Sequence, residues 1–289
     1  MGPPEAKSVW QSTVLMARQI APTASYLMRT EVHTFAFSVA ANAILSFFPF
    51  VVLLLTVTRH IFHSPVMYDV VVQLLRDYLP VGQDFIVRNL KALVAARGRV
   101  QIFSMAMLVI TSTGVFLPLE VALNQVWGFK KNRSYIGNLL ISLGLAAACG
   151  LLALASIALT AGNQIVLERV LGGYANPVVR AWTFGVMKGF AMAASIAIFF
   201  LIFWLLPNGK VPVRSVVPAA VLTGLLWEAG KGLYMLALPW LNFQEVYGPF
   251  SISVTLMFWA FLSGLLLLAG AHLSASGRAE QLVAKALAS

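Results

Sequence analysis

Six apolar stretches dominate this chain: Thr34–Thr58, Val100–Leu119, Ile136–Ala161, Ala181–Leu206, Ser215–Trp240 and Pro249–Ala275. A helix needs about 20 apolar residues to cross the hydrocarbon core of a bilayer. Each stretch meets that length, and none shows the strict alternation of a barrel strand. The expected fold is all-α, a polytopic membrane protein with six transmembrane helices. Composition points the same way. Of the 289 residues 60% are hydrophobic and only 10% charged, whereas a soluble domain carries roughly 25% charged residues.

The net charge of +10 would suggest nucleic acid in a soluble protein. In a membrane protein it marks loops that stay in the cytoplasm, so no nucleic-acid partner is expected. The bilayer is the expected partner, with a homo-oligomer left open. With the N-terminus inside, the inner loops hold Lys130, Lys131, Arg133, Lys210 and Arg214, and the short outer loops hold Arg169 and Arg180. That bias places both termini in the cytoplasm. No cleavable leader is expected, because Glu5, Lys7, Arg18 and Arg29 precede the first long apolar run. The lone Cys149 excludes an intrachain disulfide and a CxxC motif.

Residues 1–33 read as a cytoplasmic amphipathic segment, 34–275 as the six-helix transmembrane domain and 276–289 as a cytoplasmic tail. Trp10, Val14, Ala17 and Ile20 form the stripe of the first segment, and Pro22 is expected to end its helix. Within 59–99, Ser64-Pro65 is a helix start. Met67, Val70, Val71, Leu74, Leu75 and Tyr78 then follow at helical spacing, and Pro80 and Gly82 break the run. Phe85, Ile86, Leu90, Leu93 and Val94 form a second stripe, opposed by Arg88, Lys91 and Arg97. Two short amphipathic helices are expected between spans one and two, lying on the membrane surface or capping the bundle.

The polar residues inside the apolar runs are the candidate site. A lone charge at a helix centre costs on the order of 2.5–3.5 kcal/mol on insertion scales. Glu228 and Lys231 are three residues apart on one face, and Gly224 and Gly232 flank Glu228 on that face. The pattern predicts a polar, small-residue seam turned to the bundle interior. It serves either a packing role or a cavity that meets substrate. Asn42 bridges helices or lines a cavity, and Pro49 kinks the first span. Glu120 and Asn124, four apart at the inner end of the second span, form a further candidate. Lys130, Lys131 and Arg133 follow them as candidates for an anionic headgroup. Lys188 is placed to snorkel outward and His272 to sit at the inner interface. No catalytic constellation, metal set or cofactor motif is expected.

Three stretches resemble one family: "AFSVAANAILSFFPFVVLLL" (Ala36–Leu55), "STGVFLPLEVALNQVWGFKKNRSY" (Ser112–Tyr135) and "YGPFSISVTLMFWAFLSGLLLLAGAHLSA" (Tyr247–Ala275). They are similar to the YihY/virulence factor BrkB family, formerly labelled ribonuclease BN. "LLPNGKVPVRSVVPAAVLTGLLWE" also fits. His272 stands where that family usually has glutamate, and Pro218 where it more often has glycine. The resemblance implies a bacterial inner-membrane protein with six helices, and the nuclease label is regarded as a misassignment. Relatives are linked to transport of lipid-like molecules. The expectation is a transporter or flippase-like protein for an amphiphilic or anionic solute. The alternatives are a structural envelope-integrity protein and, third, the older ribonuclease.

Overall fold

The computed structural model describes residues 21–78, 83–95, 98–130, 133–171 and 177–287. Lys131, Pro80, Gly82, Arg97 and the stripe from Trp10 to Ile20 lie outside these residues. Among the described residues every element is helical. They are α1 (Thr30–Thr56), continued by a π-turn Val57–Ile61, α2 (Pro65–Tyr78), α3 (Gln83–Ala95), α4 (Arg99–Trp127), α5 (Tyr135–Leu171), α6 (Pro177–Leu205), α7 (Val213–Leu241), α8 (Phe243–Tyr247) and α9 (Ser251–Leu287). A single 3-10 turn, Gly248–Phe250, links α8 to α9.

The long helices close into a ring. α1 packs on α4, α4 on α5, α5 on α6, α6 on α7, α7 on α9, and α9 returns to α1. One end of the ring carries the α4–α5 loop and the α6–α7 turn, and is called the turn end below. The other carries α2 and α3, the cap end. Residues 21–27 are also helical, with Pro22 in their first turn, and pack at the turn end; the helix that Pro22 is expected to end lies outside the described residues.

Five helical stretches are long and apolar enough to cross a membrane: Thr30–Ile61, Ile102–Trp127, Tyr135–Asn163, Gly185–Leu205 and Phe243–Ser276. The first span is therefore longer than the expected Thr34–Thr58. α7 is not among the five, although its 29 residues exceed the required length. Glu228 and Lys231, with Pro218 and Pro239, lower its hydropathy. α9 runs unbroken from Ser251 through Leu287, so the stretch 276–287 of the expected tail is helical.

Close approach holds the ring together. Lipid tails are as apolar as leucine, so helices associate in a bilayer by packing rather than by escape from water. A methyl on Gly264 of α9 would lie 3.1 Å from the Ala36 carbonyl oxygen and 3.3 Å from the Ala36 Cα of α1. Gly224 of α7 sits with Ile196 Cα of α6 3.3 Å from where its side chain would be. Gly270 of α9 faces Thr223 and Phe203 in the same way. The central core fills around these contacts with Leu119, Leu123, Phe203, Leu206, Val216 and Leu268.

The cap forms by a different force. The Met67 N–H donates to Ser64 Oγ at 3.2 Å, which starts α2. Met67, Val70, Val71 and Leu75 of α2 and Ile86, Leu90 and Val94 of α3 bury against Val51, Val52 and Leu55 of α1 and Ile157 and Ala161 of α5. The two amphipathic helices thus cap the bundle, with their apolar stripes on protein. Burying such a side chain from water stabilises by roughly 1.5–3 kcal/mol. Arg88 and Lys91 face outward, and Arg76 meets Asp84 at 3.4 Å across the α2–α3 break. Leu93, read as part of the stripe, is exposed.

Candidate functional site

α7 shows two unlike faces. Leu225, Leu226, Leu233 and Leu236 are exposed, and Thr223, Gly224 and Tyr234 are buried. Glu228 and Lys231 lie between, with side chains 18% and 15% exposed. The Lys231 ammonium donates to Glu228 Oε2 at 2.7 Å. It also stands 4.9 Å from the centre of the Trp227 ring, a cation–π contact that tightens as water leaves. Pairing lowers the cost of each charge in this place. Glu228 Oε1 is different. It is buried and has no hydrogen-bond partner among the described residues.

Aromatic side chains surround the pair. Trp227 donates its Nε1–H to Ser263 Oγ of α9 at 3.1 Å. Its ring lies 6.0 Å from Trp259 and 6.5 Å from Phe199. Tyr234 stacks on Trp259 at 5.1 Å and donates to the Thr255 carbonyl at 2.8 Å. The seam is therefore polar at its centre and aromatic at its rim, and two hydrogen bonds to α9 fix its rotation. Of the two flanking glycines, Gly224 meets α6 as the pattern suggests, but nothing lies within 4 Å of a side chain built on Gly232.

Glu120 and Asn124 build a second constellation, at the turn end. α4 ends where Gly128 takes the left-handed conformation at φ 71°. The Phe129 N–H then reaches the Asn124 carbonyl at 2.8 Å and the Gly128 N–H the Gln125 carbonyl at 3.2 Å. This turn swings the following loop back over Glu120, which is 1% exposed. Glu120 Oε1 accepts the Arg133 backbone N–H at 3.1 Å and the Asn124 amide at 3.5 Å. Glu120 Oε2 accepts the Asn138 side-chain amide of α5, and Ser142 donates to Asn138 Oδ1 at 3.0 Å. Asn124 Oδ1 accepts the Asn208 N–H of the α6–α7 turn at 2.7 Å. Arg133 completes the knot. Its guanidinium donates to the carbonyls of Leu206 at 2.7 Å, Leu205 at 3.2 Å and Pro207 at 2.9 Å, at the C-terminus of α6. Arg133, a headgroup candidate from sequence, thus has its fork committed to backbone carbonyls. Lys130 is exposed, and Lys131 lies outside the described residues.

The other candidates separate from these two. Asn42 donates to the Ser38 carbonyl of its own helix at 2.9 Å and lies against Gly114 of α4. It fills the α1–α4 contact, and no described contact joins it to Glu228 or Glu120. His272 sits at the turn end and is packed by residues 21–27. Its Nδ1 lies 3.0 Å from Thr23 Oγ1, and Tyr26 stacks on its ring at 4.6 Å. Burial pushes the Tyr26 phenol up to about 12 against the opposing charge of Arg29. Asn138, Ser142, Asn208, Trp227 and Ser263 are the participants that sequence reasoning missed. For Asn138 and Ser142 a signal existed, two polar groups one turn apart opening an apolar run. Among the described residues no three His, Cys, Asp or Glu side chains converge to hold a metal ion.

The family described as Virulence factor BrkB matches residues 23–287. The chain belongs to the BrkB family. This BrkB-family chain is 28% identical over 201 residues to a UPF0761 membrane protein of Pseudomonas aeruginosa (strain LESB58), covering 68% of this chain and 47% of that protein. It thus spans about half the length of the first curated relatives it matches. It is 27% identical over 217 residues to the UPF0761 membrane protein YihY of Escherichia coli O1:K1 / APEC, covering 73% of this chain and 72% of that one. No solved structure matches it. The match begins at Thr23 and ends at Leu287, so the helical turn that meets His272 and the whole of α9 lie inside the shared region.

Proposed function

We propose that this BrkB-family protein is a transporter or flippase-like protein of the bacterial inner membrane that moves an amphiphilic or anionic solute. In this reading α7 crosses as a sixth span, and both termini are cytoplasmic. The observation that carries it is the Glu228–Lys231 pair, held deep along α7 between a lipid-facing leucine face and an aromatic rim, with one carboxylate oxygen unused. Ionisable groups at such depth are costly, and they mark substrate and ion pathways. Exposed Trp182, Trp240 and Phe250 at the cap end suit a headgroup interface. Exposed Lys130, Lys210 and Arg214 at the turn end suit the cytoplasmic side.

Reconstitution into liposomes with a panel of lipids and anionic solutes tests this. The wild-type chain is expected to move at least one of them, and a Glu228→Gln, Lys231→Met double variant to lose most of that movement. Unchanged movement in the variant removes the pair from the mechanism. Absence of movement for every substrate favours the second reading, a structural envelope-integrity protein. That reading is supported by the Glu120 knot, in which the buried carboxylate is satisfied wholly from within the chain.

A further inference from the structure

Trp227 stands where three helices meet. Phe199 of α6 lies 6.5 Å from its ring and Trp259 of α9 lies 6.0 Å from it. Trp259 also approaches α7 itself, 3.9 Å from where a side chain on Gly230 would begin. On its own helix the indole is one turn from Lys231, a spacing that brings side chains together. The Lys231 ammonium is therefore held from two sides, by Glu228 Oε2 at 2.7 Å and by the indole ring at 4.9 Å.

The two contacts differ in what they demand. A carboxylate attracts an ammonium group from many directions. An indole does so only over its face, because the ring is negative there and positive along its edge. The hold on Lys231 thus depends on how the indole is turned. That orientation is set from another helix. The Trp227 Nε1–H donates to Ser263 Oγ of α9 at 3.1 Å, and Ser263 lies thirty-six residues further along the chain. A buried indole N–H seeks an acceptor, so moving Ser263 away turns the ring and takes its face from Lys231. We propose that Ser263 and Trp227 are positioning residues for the charged pair. The hydrogen bond between them keeps the indole face on Lys231, and parting of α9 from α7 at this level loosens Lys231 from Glu228. This places the proposed transport site under the control of α9 and rests on that reading.

Lysine carrying an NMR-active isotope at Cε, supplied during growth, tests this in the full chain in maltoside micelles. The Lys231 signal is the one lost in Lys231→Arg. A group over an indole face is shielded, so the wild-type signal is expected upfield of the other lysines. Ser263→Ala should bring it to the position of those lysines, and Ser263→Thr, which keeps a hydroxyl, should return it. Trp227→Phe should act like Ser263→Ala, and the two together should go no further than either. Tyr234→Phe removes the other hydrogen bond between α7 and α9 and should leave the signal in place. An unshifted wild-type signal overturns the proposal, as does one that stays upfield in Ser263→Ala or one that Tyr234→Phe displaces as far. In liposomes any solute that the wild type moves should move about fivefold more slowly with Ser263→Ala, the worth of one hydrogen bond, and at the full rate with Ser263→Thr. Full-rate movement in Ser263→Ala overturns the control by α9 while leaving transport intact. A wild type that moves nothing removes transport and leaves the spectral result standing.

Discussion

Glu120 shows what one buried charge can organise. Its two oxygens accept from Arg133, Asn124 and Asn138, which lie on a loop, on α4 and on α5. Replacing it by leucine would leave those donors buried without an acceptor. Each such orphan costs about 1–3 kcal/mol, so Glu120→Leu should lower stability by about 3 kcal/mol or more in an SDS-unfolding titration. A change below about 1 kcal/mol would mean water already supplies the bonds. Glu228 presents the reverse case, a carboxylate with an acceptor to spare. Sequence made both carboxylates visible, because charge inside an apolar run is conspicuous. It did not reveal which one was satisfied. Two of the three partners of Glu120 come from thirteen and eighteen residues further along the chain, and only the fold brings them together. Asn42 was ambiguous for the same reason, since its role depends on Gly114 lying opposite.

Among elements, the ring depends on where glycine permits contact. Gly264 faces backbone of α1, which cannot yield as a flexible side chain can. Gly264→Val should therefore push α1 and α9 apart and cost about 1–3 kcal/mol, the usual range for overpacking. Gly232 faces open space, and Gly232→Ala should be neutral or stabilising by up to about 1 kcal/mol through helix propensity. Thermal unfolding of both variants in one detergent checks the contrast. Equal losses would show that the close contact at Gly264 is not what sets these two positions apart. The apolar stripes of α2 and α3 were legible at helical spacing, because amphipathic helices announce their buried face. Whether that face met lipid or protein was not, since Val51, Leu55 and Ile157 belong to distant segments.

For the whole molecule the open question of topology reduces to α7. Five helical stretches are long and apolar enough to cross, and α7 falls outside them because of the residues that make it interesting. If α7 crosses, Arg214 and Glu245, both exposed, lie on opposite sides of the membrane. With Cys149 replaced by alanine, single cysteines at those positions should react with an impermeant maleimide from opposite faces of intact spheroplasts and inverted vesicles. Labelling of both from one face would make α7 a re-entrant or interfacial helix and would remove the sixth span. The all-α architecture itself was plain from the run lengths, since only helices of that size satisfy their own backbone in hydrocarbon.

The turn at which Arg133 holds the end of α6 has a mechanical consequence. Three helices and the α6–α7 turn are tied there around one carboxylate and one guanidinium, and parting them would strand a charge away from water, at a cost of about 3–5 kcal/mol. The barrel of helices is thus tied at its base. Among the described residues the opposite end carries no such knot where α7 passes to α9 through little more than a single turn of α8, so a solute carried as proposed would be admitted by flexing there.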